Sequence, residues 1–367
     1  MLPVPPRPNF SRRLLLQLVG AHTVAPAIRT LGRGLLSIFT LHRFADPQSD
    51  VDGTDPAMLR DHLAYLRRHR YRLLSLSDAI RLLDEGDAGR GPQTPVVVFT
   101  VDDGYADFAT TGAPIFAEYD CPVTLFVATG FLDGLLWLWW DRVAHVFRQT
   151  RRCSLSLPVG DQRLPWSWSS PSERAWVQQA VIERLQVADV PAREAVITSL
   201  SEQLDVELPT RPPAPFTPLS WDDVRRTARL GATFGPHTVT HPILGLTSEG
   251  TCNWEIRESY RRVREETDAV VPVFSYPNGQ PHACSQHVLQ AAQRSGVTAA
   301  LTTVPGYVNL QRVPARETLG RFALPRFPYP GDRGHLVNIV AGMARLRTAV
   351  RLGTYPTGRA APSASAP

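Results

Sequence analysis

Short apolar segments of strand length recur along the chain and predict a buried β-sheet. They are rich in β-branched and aromatic residues, and few polar positions interrupt them, as expected of strands covered on both faces. The predicted strands are LLSIFTL at 35–41, VVVFTV at 96–101, VTLFVAT at 123–129, ATFG at 232–235, PVFSYP at 272–277, VTAALTT at 297–303 and FALPRF at 322–327.

Segments with helical period separate several of these strands. In EIRESYRRVREETDAV, for example, Ile256, Tyr260, Val263 and Thr267 would share one face of a helix. Apolar strands that alternate with helices are typical of a parallel sheet covered on its outside. The pattern predicts an α/β fold, either a distorted (β/α) barrel of about seven parallel strands or an open doubly wound sheet.

One stretch, residues 131–218, interrupts this alternation and is interpreted as an insertion. It contains six of the eight tryptophans, in segments such as LLWLWWDRVAHVF and LPWSWSSPSERAW. The tryptophans could form an exposed surface that stacks on sugar rings, but a mainly helical subdomain with tryptophans in its core is favoured. The predicted organisation is a basic, amphipathic segment at 1–34, a domain at 35–345 that contains the insertion, and a disordered tail at 346–367.

Composition excludes several kinds of chemistry. All 39 basic residues are arginine, so a lysine Schiff base and a Walker-type phosphate loop are ruled out. The net charge of +5 is spread along the chain and no nucleic-acid module is recognisable, so we expect no nucleic-acid partner. The cysteines stand too far apart in sequence for a structural zinc site and are predicted to be core thiols: Cys121, Cys153, Cys252 and Cys284.

The N-terminal stretch SRRLLLQLVGAHTVAPAI faintly resembles a signal peptide but is interpreted as an amphipathic surface helix. No segment reaches the roughly 18 uninterrupted apolar residues of a membrane span. We expect a monomer in the bacterial cytoplasm or at the periphery of the inner membrane, with export as the alternative.

Two adjacent aspartates directly follow a predicted buried strand, in the segment TVDDG at 100–104. Functional groups of parallel α/β folds collect at the carboxyl ends of the strands, where Asp102 and Asp103 would lie. Asp-Gly alone is a common turn signal, so these residues need partners before they indicate a site.

A pair of histidines follows a later strand, in FGPHTVTHPI. Prolines bracket His237 and His241, which favours a loop that could still bring both imidazoles to one ion. With the carboxylate of Asp103 they would make a three-ligand site with open positions, typical of catalytic metal centres. Asp102 would then stay ionised beside the metal and act as the base that takes a proton from the attacking water.

These residues resemble a known family, the polysaccharide deacetylases with NodB homology, also called carbohydrate esterase family four. Its motif T-F-D-D-G is similar to TVDDG, with Val101 in place of phenylalanine, and H-[ST]-x-x-H matches 237–241 in full. The third motif corresponds to FSYPNG at 274–279. The resemblance spans about 35–330, apart from the insertion.

The resemblance implies a distorted barrel, Asp102 as general base, and Asp103, His237 and His241 as ligands of a divalent metal, usually zinc. It implies a metal-dependent hydrolase that removes N-acetyl, or less often O-acetyl, groups from a polysaccharide or amino sugar in exopolysaccharide or envelope metabolism. The loop of Tyr276, Pro277 and Asn278 would offer a backbone N–H to the oxyanion.

The chain departs from the family pattern at two catalytic positions. The arginine that usually precedes the third motif is missing, and we hypothesise that Arg326 reaches the base from the last strand. The histidine of the usual Leu-x-His motif is also missing, and His42 in FTLHRF is the candidate general acid, as in a branch that acts on poly-N-acetylglucosamine. The remaining histidines are interpreted as surface groups.

Three other functions remain open from the sequence. The same fold could hydrolyse a non-sugar amide. It could also be an inactive, glycan-binding relative, although both aspartates and both histidines are intact. Two histidines and a carboxylate also bind iron in non-haem oxygenases, but those enzymes usually use an antiparallel barrel.

Overall fold

The computed structural model describes residues 32–46, 48, 51–85, 94–159, 162–310 and 318–345. The predicted tail at 346–367, and the predicted amphipathic segment at 1–34 apart from its last three residues, lie outside the described residues. Within the described ranges, no helix has both the length and the apolar character needed to cross a bilayer.

Strands and helices alternate through most of the chain. The strands are β1 (Leu35–Leu41), β2 (Arg72–Leu73), β3 (Val96–Val101), β4 (Val123–Val127), β5 (Ser154–Val159), β6 (Gln162–Ser167), β7 (Ala232–Pro236), β8 (Val273–Ser275), β9 (Ala299–Leu301), β10 (Val308–Asn309) and β11 (Phe327–Pro328). The α-helices are α1 (Pro56–Arg68), α2 (Leu76–Glu85), α3 (Ala113–Glu118), α4 (Thr129–Leu132), α5 (Trp139–Gln149), α6 (Pro171–Leu185), α7 (Val190–Gln203), α8 (Trp221–Ala228), α9 (Glu249–Glu266), α10 (Gln286–Arg294) and α11 (Arg333–Val340).

The strands form a curved sheet with the order β10-β1-β3-β4-β7, in which β2 also pairs with β3 and β11 with β1. All these pairs are parallel except β1 with β10. The parallel pair β8-β9 is a separate two-stranded sheet. Isolated bridges connect Phe234 of β7 to Val270, just before β8, and Leu301 of β9 to Leu324, just before β11. The predicted α/β class and distorted barrel of about seven strands are confirmed, although the described strands do not pair into a closed barrel.

Among the predicted strands, the last one, 322–327, differs most from the structure. A 3-10 turn at Leu319–Phe322 occupies its start, and the strand itself is limited to Phe327–Pro328. Leu324 forms only an isolated bridge to Leu301, so this part of the chain is an irregular segment rather than a strand.

The central strands are buried on both faces, which explains their continuous apolar sequence. Leu36 and Ile38 of β1 point to one side of the sheet, where they share a cluster with Val273 of β8 and Leu301 of β9. Their neighbour Phe39 points the other way, into the cluster beneath the surrounding helices. Because side chains alternate along a strand, they form two apolar layers, one on each side of the sheet. Both layers support the rim, which is the edge of the sheet where the strands end at their carboxyl ends and polar residues follow.

The insertion builds a small core of its own. Helices α5, α6 and α7 pack around residues such as Val143, Phe147 and Val181. The mainly helical character is confirmed, but β5 and β6 also form an antiparallel hairpin that was not predicted. A proline in each strand weakens the hairpin signal, because proline is unusual inside strands. The tryptophans have divided roles, because Trp168 is 9% exposed in this core whereas Trp176 is 56% exposed.

The predicted exposure of two histidines and the predicted burial of one cysteine were wrong. His62 and His145 are buried rather than on the surface. His62 lies beside Tyr329, and burial lowers the pKa of its imidazole to about 4. Cys153 is exposed, whereas the other three cysteines are core thiols as predicted.

These exposures predict thiol reactivity. Burial raises the pKa of Cys121 and Cys284 to about 12 and that of Cys252 to about 11, so these thiols are protonated and inaccessible. A chromogenic disulfide reagent should therefore titrate one thiol per native chain and all four in denaturant. Cys153→Ser should leave no rapidly reacting thiol. Fast reaction of two or more thiols in the native wild type would contradict the packing described here.

Candidate active site

The two adjacent aspartates lie at the carboxyl end of β3 and point in different directions. Asp102 continues the strand, since its N–H donates to Leu41 O at 2.9 Å. Asp103 has a φ of 78°, which ends the strand, and its carbonyl accepts from Ala128 N–H at 3.1 Å. Alternation along the strand and this left-handed turn give the two carboxylates separate surroundings although they are neighbours in sequence.

Gly104 is needed directly after the aspartates. Its φ is 102°, and a Cβ built there would lie 2.7 Å from Leu132 Cδ1. A residue with a side chain would be strained at this φ and would also meet Leu132 of α4, so the glycine suits the turn that follows Asp103.

Asp103, His237 and His241 converge at one point of the rim. Asp103 Oδ1 lies 3.5 Å from His237 Nε2 and 3.3 Å from His241 Nε2, and the two Nε2 atoms are 3.2 Å apart. Among the described residues these three form the one group of His, Cys, Asp or Glu side chains that could hold a metal ion. All three are largely removed from solvent.

The orientation of His237 fits a metal ligand. Its Nδ1 lies 2.7 Å from Ser275 O, a carbonyl that can only accept, so the proton of the neutral ring resides on Nδ1. The Nε2 lone pair is then directed toward Asp103 and His241. One carboxylate oxygen and two imidazole nitrogens suit zinc or a similar divalent transition metal.

A buried glutamate holds the loop between the two histidines. Glu255 of α9 is 1% exposed, and its Oε2 accepts from the N–H groups of Val239 at 2.7 Å and Thr240 at 3.0 Å. Its Oε1 accepts from the Thr240 hydroxyl. The loop contains two non-glycine residues with positive φ, Thr238 at 68° and His241 at 55°. Such a conformation persists only when its surroundings hold it, and Glu255 provides that restraint.

Asp102 forms a buried ion pair with Arg326. Arg326 Nη1 and Nη2 donate to the two carboxylate oxygens at 2.8 and 2.7 Å. The remaining guanidinium N–H groups reach Thr302 O, Thr100 Oγ1 and Ser275 Oγ. Arg326 is fully buried, and all five of its donors have acceptors. The arginine therefore contacts the carboxylate from the segment just before β11 rather than from the segment before FSYPNG.

The ion pair decides the charge of Asp102. Burial alone would raise the pKa of this carboxyl, but the Arg326 charge and hydrogen bonds outweigh it and hold the pKa below its usual range. Asp102 is therefore ionised at neutral pH.

Ser275 joins this ion pair to the histidine cluster. Its hydroxyl lies 3.3 Å from Asp102 Oδ2, and its carbonyl accepts from His237. Ser275 is the variable residue of the third motif, so motif matching gave no reason to select it.

A pocket of about 660 Å³ opens over these residues. It is lined by the predicted residues His42, Asp102, Asp103, His237, His241, Tyr276 and Asn278. His42 is exposed at the mouth of this pocket. Arg326 lies beneath the pocket, in contact with Asp102.

The loop 276–278 differs from the expectation in one respect. The backbone N–H of Tyr276 donates to Leu301 O at 3.1 Å, because pairing of β8 with β9 continues one residue past β8. Tyr276 is therefore not the oxyanion donor in this conformation. Its hydroxyl donates to Phe322 O at 2.9 Å, and Pro277 has no N–H. Asn278, which has a φ of 62°, is the member of the loop whose N–H remains for this role.

Among the pocket residues that the sequence analysis did not select, three interact with one another: Tyr105, Trp140 and Asp141. The Tyr105 hydroxyl donates to Asp141 Oδ2 at 2.7 Å and accepts from Trp140 Nε1 at 2.9 Å. The Trp140 ring lies 4.7 Å from that of His241. Burial raises the pKa of Asp141 to about 8. The available signal was an aspartate within the aromatic segment WLWWDRV, since a buried carboxylate requires partners.

Comparison with known proteins bears on the identity of this site. The Polysaccharide deacetylase family model matches residues 173–300, which include both histidines and FSYPNG but not TVDDG. A sequence search of curated proteins found no match.

A solved deacetylase shares the fold. The Streptococcus pyogenes deacetylase PplD, solved in complex with acetate, is 16% identical, with a TM-score of 0.52 over 83% of this chain and 97% of that one. IcaB from Ammonifex degensii is 15% identical, with a TM-score of 0.49 over 84% of this chain and 97% of that one.

The fold is shared with a solved deacetylase, and the strand-end cluster could hold a metal ion. The match of residues 173–300 to the Polysaccharide deacetylase model confirms the resemblance drawn from the motifs.

The role of Glu255 leads to a prediction about cation affinity. Glu255→Ala leaves two loop N–H groups without acceptors, so the histidines lose their fixed orientation. A divalent cation should bind roughly tenfold to a hundredfold more weakly, as is typical when the partners of metal ligands are removed. Competition with a chromogenic chelator measures this directly.

Two variants serve as controls for this measurement. Glu255→Gln keeps a carbonyl oxygen for both N–H groups and should recover most of the affinity. Glu258→Ala removes a partly exposed glutamate of the same helix that pairs with Arg261, and should bind the cation like the wild type. Equal affinity of Glu255→Ala and wild type would show that the loop does not need this carboxylate.

Proposed function

We propose that the chain is a metal-dependent deacetylase that hydrolyses the N-acetyl group of an amino sugar within a glycan. The observation that carries the proposal is the ionised Asp102, held by Arg326, at the edge of a pocket that also contains the Asp103, His237 and His241 cluster. A base beside a three-ligand cation site suits hydrolysis of an amide.

The cation is expected to be zinc, held by Asp103, His237 and His241. When bound, a divalent cation supplies Lewis-acid polarisation of the acetyl carbonyl and of the attacking water.

The side chains of the pocket divide the proton transfers between them. Asp102 accepts a proton from water as the water oxygen attacks the acetyl carbonyl carbon, and Arg326 keeps the carboxylate ionised and oriented. The N–H of Asn278 supports the developing oxyanion. His42 donates a proton to the nitrogen as the carbon–nitrogen bond breaks, which releases acetate and a free amine.

The substrate is inferred to be an acetylated glycan of bacterial exopolysaccharide or envelope metabolism. This matches the family of the chain and a pocket whose mouth is open to solvent. Location in the cytoplasm or at the periphery of the inner membrane, and a monomeric state, remain predictions.

Acetate release tests the proposed function. Protein loaded with zinc should release acetate from N-acetylglucosamine oligomers, and a chelator should abolish the activity until zinc is restored. Asp102→Asn, which keeps the shape of the side chain but removes the base, should lower kcat by roughly a hundredfold or more while the protein retains its metal. Acetate release from simple aryl amides but from no saccharide would favour the non-sugar amidohydrolase. A metal-loaded protein that binds oligomers without turnover would be a glycan-binding relative.

Arg326→Met tests how the base is held. Without the guanidinium, burial raises the pKa of Asp102, so the carboxyl takes up a proton and cannot act as a base at neutral pH. We expect kcat to fall by roughly a hundredfold. Arg321→Met is the matched control, because Arg321 is equally buried but pairs with Asp84 away from the pocket. Unchanged kcat in a folded Arg326→Met protein would refute the role of this arginine.

A further inference from the structure

The segment that follows β1 is fastened to the segment that follows β3, and we propose that Arg43 and Asp107 are positioning residues for His42. This inference rests on the proposed function, in which His42 is the general acid. His42 is exposed at the mouth of the pocket. Within the described ranges no group forms a hydrogen bond with its imidazole, so the place of the ring depends on the backbone that carries it.

Asp107 holds the two residues that follow His42. Its Oδ1 accepts from the Phe44 N–H at 2.9 Å, and its Oδ2 accepts from Arg43 Nε at 2.5 Å. Asp107 is 7% exposed and Phe44 is fully buried, so water competes little for these bonds. The carboxylate therefore ties the exit of β1 to the chain just beyond the DDG turn.

Arg43 adds contacts with two more parts of the chain. Its Cζ lies 3.9 Å from the centre of the Tyr105 ring, and its Nη2 donates to Pro215 O, near the end of the insertion, at 2.6 Å. Its own carbonyl accepts from the Thr54 N–H at 2.8 Å. A planar guanidinium held by a ring and by two acceptors has little freedom to move.

The opposite side of this segment is also closely packed. A Cβ built at Gly53 would lie 2.6 Å from the carbonyl carbon and oxygen of Arg43, so only glycine allows the backbones to approach in this way. The residue that carries the proposed acid is thus followed directly by backbone that is held on two sides.

Strand pairing explains why this attachment would matter for proton transfer. Leu41 of β1 pairs with Val101 of β3, so His42 and Asp102 leave adjacent parallel strands side by side. The Asp107 bonds continue the link beyond the strands and preserve the separation between the proposed acid and base. A displacement of about 1 Å would be enough to slow proton donation to the departing nitrogen greatly.

The choice of leaving group provides the first test. Zinc-loaded Arg43→Met should have a kcat for N-acetylglucosamine oligomers about tenfold lower than wild type, with little change in KM. Its kcat for 4-nitrophenyl acetate should be unchanged, because nitrophenolate leaves as a stable anion that needs no proton from His42. Asp102→Asn should lower both rates if one site cleaves both substrates. Equal losses of both rates in Arg43→Met would indicate a general structural effect and overturn the inference.

A double-mutant comparison tests the same point on the amide alone, and decides it if the ester is cleaved elsewhere. When Arg43 acts through His42, adding Arg43→Met to His42→Ala causes no further loss of amide hydrolysis. Losses that multiply would show that Arg43 acts independently of His42 and would overturn the inference.

Further variants separate positioning from folding. Arg43→Met leaves the Asp107 carboxylate without its partner, so the combination with Asp107→Asn is also measured, since asparagine keeps an oxygen for the Phe44 N–H and carries no charge. It should show the same selective loss with the amide. Arg43→Lys keeps a cation beside Asp107 and should restore part of the rate.

Arg262→Met is the matched control. The Arg262 side chain is 25% exposed, pairs with Asp133 and lies over the Trp221 ring at 5.0 Å, and it does not line the pocket. This variant should behave like the wild type with both substrates.

Failure of the proposed function has a different signature, which is the absence of acetate release from saccharides by the wild type. The placement of His42 is then decided by NMR of protein labelled with carbon-13 in the histidine rings, with the His42 signal assigned from His42→Ala. A single sharp signal in wild type and Arg262→Met that becomes broad or split in Arg43→Met supports the inference. The same signal in Arg43→Met and wild type overturns it.

Discussion

The buried ion pair between Arg326 and Asp102 is the interaction on which the rest of the site depends. A carboxylate with almost no exposure would normally take up a proton, and a guanidinium buried beside it prevents this. The pair is favourable only because every donor of Arg326 is satisfied, which requires β3, β8 and the segment before β11 to meet at one place. The geometry of the rim is thus a condition for the charge of the base.

Much of the rim could be predicted from the sequence. Apolar strands that end in polar residues indicated where Asp102, Asp103 and His237 would lie, because parallel strands bring their carboxyl ends together. The hypothesis that Arg326 compensates for a missing arginine depended on the same reasoning. Ser275 could not be found in this way, since its contribution comes from a backbone carbonyl and a hydroxyl whose directions follow from strand pairing.

Residues of the insertion were harder to predict for a physical reason. Trp140 and Asp141 contact the site only because helix α5 lies against the rim. A local sequence pattern does not indicate how the insertion packs against the sheet. The buried positions of His62 and His145 were missed for the same reason. The hairpin of β5 and β6 was missed because each strand contains a proline, which is unusual inside strands.

The position of Arg326 in the chain has a consequence for biosynthesis. The base and its guanidinium partner stand 224 residues apart, and the arginine lies near the end of the described chain. While Arg326 is still within the ribosome, the nascent chain can assemble the first strands but holds the Asp102 carboxylate without this partner. The proposed ability of Asp102 to abstract a proton is therefore acquired only after Arg326 has been synthesised and the segment before β11 has docked.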